Sequence, residues 1–383
     1  MNVLALEPFY GGSHRHFLDG LARHSRHQFR LVTMAERYWK WRMHGGAVTL
    51  AEGVRQAIAD GFRPDVLFAT SMTNVPAVLA LARDELAGVP VVLYLHENQL
   101  TYPLAPGRER DVAFAYQNYL SALAADRVVF NSAFHRDEFL GALPSLLARY
   151  PDHSHPGTLA AIREKSRVLY LGLDLAGHDR HRQQPNGRPR DARGFSTDGP
   201  PTILWNQRWD HDKNPEAFFR AVGRLDDAGV AFRLILAGTH YDQGPIPEPF
   251  ERAFRRYAER IVHYGFAEGF DAYSRLLHRA DVVVSTARHE FFGIAILEAI
   301  YCGAHPVLPA RLTYPELVPE TLHHPLLHAG VLYKTDDELF ELLRGLLTGR
   351  ERPLPPDVLR SIAAPLAWPE QVEQYDALFE EMA

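Results

Sequence analysis

Twelve short runs rich in Val, Leu and Ile recur along the chain, each followed by a longer stretch with helical spacing. They lie at 2–7, 29–33, 65–70, 89–96, 126–132 and 167–172, then at 202–207, 232–238, 261–265, 280–286, 304–309 and 330–333. A run that is apolar at nearly every position, with no polar alternation, is a strand covered on both faces. Parallel sheets flanked by helices provide that environment. Two sets of six predict an α/β chain of two Rossmann-like, doubly wound parallel-sheet domains. A length of 383 residues suits two domains. The expected layout is a first domain over 1–175, a linker over 176–200, a second domain over 201–367 and a C-terminal helix over 368–383. The linker is dense in Pro, Gly and Arg and has no apolar period. The terminal helix carries Val372, Tyr375, Leu378 and Phe379 on one face, and is expected to pack back across the domain junction.

Composition narrows the function classes. At 46% hydrophobic and 23% charged residues, the chain holds enough apolar material for two cores. No apolar run reaches the roughly 18 residues of a membrane span, and the N-terminus lacks a basic region before an apolar one. A soluble, unprocessed cytoplasmic protein without a membrane partner is the expectation. The one cysteine, Cys302, has no partner for a disulfide, which fits a reducing compartment. A net charge of −6 gives no global signal for nucleic acid. Two local stretches do: 180–193 holds five arginines against one aspartate, and 37–42 reads RYWKWR. Each has a plain alternative, a solvated linker for the first and a partly buried aromatic cluster for the second.

In open parallel sheets, ligands bind beyond the carboxyl ends of the strands, so chemistry should follow the strands. After 2–7 come Gly11, Gly12 and Ser13. The glycines permit close backbone approach, and Ser13 is expected to cap a helix whose free N–H groups attract an anion. This is not a G-x-G-x-x-G, so standard dinucleotide binding has little support. After 89–96 come His96, Glu97 and Asn98, polar groups costly to bury without partners. After 202–207, Arg208 and Lys213 straddle a turn that opens a helix near Pro215, an arrangement suited to a diphosphate. Asp210 and Asp212 form a D-x-D. The flanking cations would repel a metal and neutralise phosphate without one, so no metal and no other cofactor is expected. After 280–286 comes HEFFGIAILEAIYCG, with Glu290 in a loop, Gly293 opening a helix and Gly303 ending it. Glu298 interrupts the apolar face of that helix about 8 Å along its axis. A carboxylate can hold two vicinal hydroxyls, so Glu290 and Glu298 suit a hexose and a ribose on either side of a diphosphate.

These residues resemble the retaining GT-B glycosyltransferases with an E-x7-E motif, here Glu290 and Glu298, and with a diphosphate-binding pair, here Arg208 and Lys213. EPFYGGSHRHF, KWRM, LYLHENQLTYP, RERDVAFAYQNYLSALAADRVVFNS, WNQRWDHDKNP and HEFFGIAILEAIYCGAHPVLP are similar to the tRNA-queuosine α-mannosyltransferase family. That resemblance implies a GT-B fold with the two domains facing across a cleft. It implies GDP-mannose as donor and the cyclopentenediol of queuosine in the tRNA-Asp anticodon as acceptor. By it, Glu290 holds the hexose with backbone N–H groups around Phe292, Gly293 and Ile294 nearby, and Glu298 holds the ribose. Arg208 and Lys213 stabilise the departing diphosphate, Gly11, Gly12 and Ser13 face it from the first domain, and His96 lies near the anomeric centre.

With no evident nucleophile, retention would follow from front-face substitution, a donor phosphate oxygen taking the acceptor proton. On the acceptor side, Tyr38, Trp39, Trp41 and Arg42 could stack on an extruded base, while Glu97, Asn98, Tyr116 and Asn118 could bind the diol. The arginine-rich linker could hold tRNA phosphates. One alternative is a GT-B enzyme using another nucleotide sugar on a lipid or carbohydrate acceptor. It would need an amphipathic surface helix, for which 16–29 is a faint candidate. A non-catalytic nucleotide-sugar or RNA-binding module is the other, and the intact charged motif argues against it.

Overall fold

The computed structural model describes the chain apart from residues 105–106, 108, 151, 183–194, 196, 198, 240–244 and 324–326. It divides into two compact units, one of Met1–Leu173 with Trp368–Ala383 and the other of Asp174–Ala367. All twelve apolar runs form strands. In the first unit these are β1 (Asn2–Tyr10), β2 (Gln28–Ala35), β3 (Val66–Thr70), β4 (Val91–Leu95), β5 (Arg127–Phe130) and β6 (Ser166–Val168). In the second they are β7 (Thr202–Trp205), β8 (Arg233–Ala237), β9 (Ile261–Gly265), β10 (Val282–Val284), β11 (His305–Pro309) and β12 (Leu332–Tyr333).

Both sheets are parallel throughout, in the orders β2-β1-β3-β4-β5-β6 and β12-β11-β10-β7-β8-β9. Strands β3 and β4 are buried at every position, as continuous apolar runs between two helix layers must be. The chain reverses its direction of travel across the first sheet between β1 and β3, and across the second between β7 and β10. At such a switch point the flanking helices go to opposite faces and leave a crevice. The residues following β1, β7 and β10 therefore have room for a ligand, and three of the four polar motifs sit there, the fourth, His96–Asn98, following β4. Strand β10 is shorter than the apolar run suggests: Ser285 N–H still reaches the Val307 carbonyl, while the Ser285 and Thr286 hydroxyls turn to Tyr314 and to the Lys213 carbonyl.

The stretch 176–200 departs from its reading as a linker. It begins with a helix, Leu175–Arg182, in the second unit. Arg360 forks onto Asp179 at 2.9 and 3.1 Å, and Tyr301 donates to the same carboxylate at 3.0 Å. His178 pairs with Ser274 at 2.9 Å. Phe195 is buried in that unit's core. At His178 and Asp179, polar residues that suggested solvent have partners far along the chain instead. Most of the arginine-rich segment, 183–194, lies outside the described residues.

The final helix, Trp368–Met382, belongs to the first unit. Trp368 is buried against Phe17, and a Cβ at Gly20 or Gly172 would collide with its indole. Asp376 accepts from Ser25 and from the backbone of Arg26, and Phe379 packs edge-on against Phe68. Trp368→Ala would leave an indole-sized hole under two glycines that cannot fill it. A loss of about 3–5 kcal/mol is expected, read as a lower denaturant midpoint.

Candidate active site

The second unit gathers its charged residues at the switch point. After β7 the chain passes through Arg208 into a 3-10 turn, His211–Lys213, and Asn214 enters the helix Pro215–Asp227 with a left-handed backbone. After β10, Thr286 binds back to the carbonyls of Lys213 and Asn214 at 3.0 and 2.9 Å, and Arg288 N–H donates to the Asp212 carbonyl at 2.8 Å. Those three bonds lock the two post-strand loops together. Lys213 Nζ, almost wholly buried, then donates to the His289 carbonyl at 2.8 Å and pairs with Glu290 at 3.2 Å and Asp212 at 3.3 Å. Arg208 pairs with Asp212 at 3.3 Å and Asp210 at 3.1 Å. The sequence of contacts Arg208–Asp212–Lys213–Glu290 is thus continuous across 83 positions of sequence.

Burial would favour the neutral form of each group, yet the opposite charges win. Burial alone would raise the Glu290 carboxyl, but Lys213 holds it below the usual range. Asp212 is likewise lowered against its own burial, by Lys213 and Arg208. Lys213 is raised despite burial, because Glu290 and Asp212 both favour its charged form. His289 is pushed down to about 4 by burial and then by Lys213, so its imidazole is neutral at pH 7. The cluster holds two cations and three acids in a fixed array.

Gly293 ends the loop at φ 92 and opens the helix Ile294–Tyr301. A Cβ there would sit 3.3 Å from the Tyr314 ring, a tight contact, and 3.6 Å from Glu290, an ordinary one, so it is the backbone that requires glycine. Phe292 N–H lies 3.4 Å from the Glu290 carboxylate. Glu298 accepts from the Tyr273 hydroxyl at 3.1 Å and lies 3.8 Å from His178, with part of its carboxylate open to solvent. Tyr273 also receives Asn206, which bonds the Ala295 carbonyl at 2.6 Å. The acid that interrupts the apolar face is therefore held by a tyrosine, with no arginine paired to it among the described residues. Arg208, Lys213, Glu290, Phe292, Gly293, Ile294 and Glu298 all lie on these two loops and the helix they feed.

In the first unit, Gly11 precedes the helix Gly12–His24 as its N-cap, with no side-chain cap. Ser13 is not the cap that the sequence suggests: it lies within the first turn and is exposed. Sequence reasoning missed the residue after it. His14 is buried, with Nδ1 2.9 Å from Glu7 and Nε2 3.1 Å from Glu97. Ionised carboxylates only accept, so both ring nitrogens donate and His14 is an imidazolium. Burial would lower its pKa, but the two acids raise it well above the ordinary value. The tilted ring of His96 lies against it, centroids 4.2 Å apart, and its pKa is pushed well down by burial and then by the His14 charge. Glu7 was the available signal, since a glutamate inside an apolar strand demands a cation nearby. His14→Leu would strand Glu7 as a buried charge. A loss of about 3 kcal/mol is expected, largely restored by adding Glu7→Leu, as thermal melts would show.

Of the residues expected on the acceptor side, several hold the fold. Asn98 caps its own turn by accepting from the N–H groups of Leu100 and Thr101, and Asn118 bridges Gln99 N–H and the Ser71 carbonyl. Both are buried, which leaves them poorly placed for a diol. Glu97 is bonded by His14 and Ser71 and is partly open. Tyr116 packs among Tyr119 and Tyr150. Trp39 is half-buried on Phe114, and Arg42 donates twice to the Ala35 carbonyl. Tyr38 and Trp41 are exposed.

Among the described residues, two groups bring potential metal ligands within 4.8 Å of one another: Glu7, His14 and His96, and Asp210, His211 and Asp212. In the first, both His14 nitrogens are already bonded to carboxylates. In the second, Asp212 is committed to Lys213 and Arg208. The first set would have to surrender ion pairs to hold a cation, whereas in the second both ion pairs of Asp212 fall on Oδ2, and its buried Oδ1 and His211 Nε2 have no hydrogen-bond partner among the described residues.

Residues 2–173 match the family described as tRNA-queuosine alpha-mannosyltransferase N-terminal, and residues 190–354 match glycosyl transferases group 1. The tRNA-queuosine alpha-mannosyltransferase of Drosophila melanogaster is 33% identical over 83% of this chain and 82% of its own length. A GDP-mannose-dependent alpha-(1-6)-phosphatidylinositol dimannoside mannosyltransferase of Mycobacterium tuberculosis is 26% identical over 72% of this chain and 64% of its own. Among solved structures, sucrose-phosphate synthase of Thermosynechococcus elongatus has a TM-score of 0.68 at 16% identity, covering 100% of this chain and 99% of that one. The fold is GT-B, and the chain is a glycosyltransferase. Within that class, it belongs to the tRNA-queuosine alpha-mannosyltransferase family.

Proposed function

We propose that the protein moves mannose, with retention, from GDP-mannose to the cyclopentenediol of queuosine in the anticodon of tRNA-Asp. The observation that carries the donor half is the Arg208–Asp212–Lys213–Glu290 array at the second sheet's switch point. Two fixed cations meet the charge that grows on a leaving diphosphate, and a preorganised array does so without rearranging at the moment of reaction. In this reading Glu290 holds hexose hydroxyls beside the N–H groups of Phe292, Gly293 and Ile294. Glu298 takes the ribose, with Tyr273 setting its angle. Arg208 and Lys213 supply the positive charge, so the reaction needs no metal. The first unit's candidates, Gly11, Gly12, Ser13 and His96, follow β1 and β4 of their own sheet.

The likeness to the Drosophila enzyme supports tRNA as acceptor, and the cytoplasm is the proposed place of action. No helix among the described residues is long and apolar enough to cross a membrane. Catalysis rests on positioning and charge: the acceptor hydroxyl attacks from the face the diphosphate leaves, and a phosphate oxygen receives its proton.

A second reading has one specific support, the similarity to a phosphatidylinositol dimannoside mannosyltransferase. The experiment separates the two. Labelled GDP-mannose is incubated with tRNA containing queuosine, with the same tRNA lacking it, and with phosphatidylinositol mannosides. Label on the queuosine tRNA alone is the expected result, and label on the lipid alone overturns it. UDP- and ADP-sugars run in parallel test the donor.

A further inference from the structure

The run Arg37–His44 carries Arg37, Lys40, Arg42 and His44 with no acid among them, in a chain whose net charge is −6. It forms a corner followed by the first turns of the helix Trp39–Ala59. Trp39 and Met43, one turn apart, point inward and pack with Phe114 and Met72. The Arg42 guanidinium closes the corner onto the Ala35 carbonyl. With those anchors set, Tyr38 and Trp41 are turned outward, 70% and 72% exposed. Tyr38 is also in the left-handed region, at φ 56 and ψ 49, where a residue with a Cβ is uncommon. Two aromatic side chains carried into water by a pinned backbone, beside exposed Arg37 and Lys40, make a platform on the surface of this unit.

We infer that Tyr38 and Trp41 are a stacking platform for unpaired bases of the acceptor tRNA's anticodon loop, with Arg37 and Lys40 set against its phosphates. The inference rests on the reading that the acceptor is tRNA. Every base offers a π face, so aromatic planes with adjacent cations bind single-stranded RNA whatever its sequence. A membrane surface also attracts Trp, Tyr and Lys, but it requires an apolar face sustained along the helix. Here the exposed side continues through His44, Val48, Glu52 and Arg55, so only its first turn is aromatic.

The test uses the full-length protein and an anticodon stem-loop RNA carrying queuosine, with binding followed by fluorescence anisotropy. Tyr38→Ala with Trp41→Ala should weaken binding roughly ten- to hundredfold, with the thermal midpoint and the Kd for GDP-mannose unchanged. Lys40→Ala should lower the slope of log K against log salt by about one. Binding at the wild-type Kd by the double variant, in a protein that mannosylates tRNA, overturns this surface and leaves the function standing. Double-variant loss of binding to vesicles containing phosphatidylinositol, with RNA binding intact, assigns the platform to a membrane and overturns it too. A wild-type protein that transfers mannose to no tRNA removes the function, and this inference with it.

Discussion

Lys213→Met is expected to reduce transfer by at least 10²–10³-fold and to destabilise the protein by about 3–5 kcal/mol. The second effect follows from what Lys213 touches. Its ammonium is the cation shared by Glu290 and Asp212, at 3.2 and 3.3 Å, in a site nearly closed to water. Methionine fills the same volume and removes the charge. Glu290 then loses the interaction that outweighed its burial, and Asp212 keeps only Arg208. Removing one partner of a buried pair is the costly change, since the other remains as an uncompensated ion.

The pH dependence gives the result a sign. In the wild type, Glu290 and Asp212 have folded pKa values below their unfolded ones. Their contribution is present above an unfolded value of about 4 and is lost as pH falls below it. In the variant, burial dominates at Glu290 and its folded pKa rises above the unfolded value. The variant should therefore gain stability as pH falls from 7 towards 5, a window in which the wild-type pair gains nothing. Urea denaturation at pH 7 and pH 5 measures this, and a variant that tracks the wild type at both would show that Lys213 does not hold these acids.

Much of this was legible in the sequence because parallel sheets write themselves plainly. A strand buried on both faces has to be apolar at every position, so β3, β4, β7 and β8 announce themselves as runs. Arg208, Lys213 and Glu290 could then be placed as post-strand residues. What the sequence could not convey was pairing at a distance. Nothing local says that Asp212 stands between both cations, or that Glu7 and Glu97, 90 positions apart, share one histidine. The same blindness made Asn98 and Asn118 resemble ligands for a diol. A buried amide that caps a turn and one that binds a hydroxyl carry the same composition signal, and only the partners differ. Likewise Asp179 and His178 looked like solvated linker residues because Arg360 and Ser274 lie so far along the chain.

Arg208→Ala should separate catalysis from stability where Lys213→Met confounds them. Arg208 is about a third exposed, and its pairs with Asp210 and Asp212 are accordingly screened. Asp212 retains Lys213 at 3.3 Å, so the fold should lose little and the thermal midpoint should move by no more than a few degrees. Activity should fall roughly 10²–10³-fold, the cost of deleting one preorganised donor to developing charge. The loss should lie in kcat far more than in the KM for GDP-mannose. The donor's diphosphate is already charged when it binds, and Lys213 remains to receive it, whereas the additional negative charge appears only as the glycosidic bond breaks. Arg208→Lys should recover only part of the rate, because an ammonium cannot present the two parallel N–H groups of a guanidinium fork. A rise in KM with kcat unchanged, measured at saturating tRNA, would instead make Arg208 a ground-state anchor and move the leaving-group role to Lys213 alone.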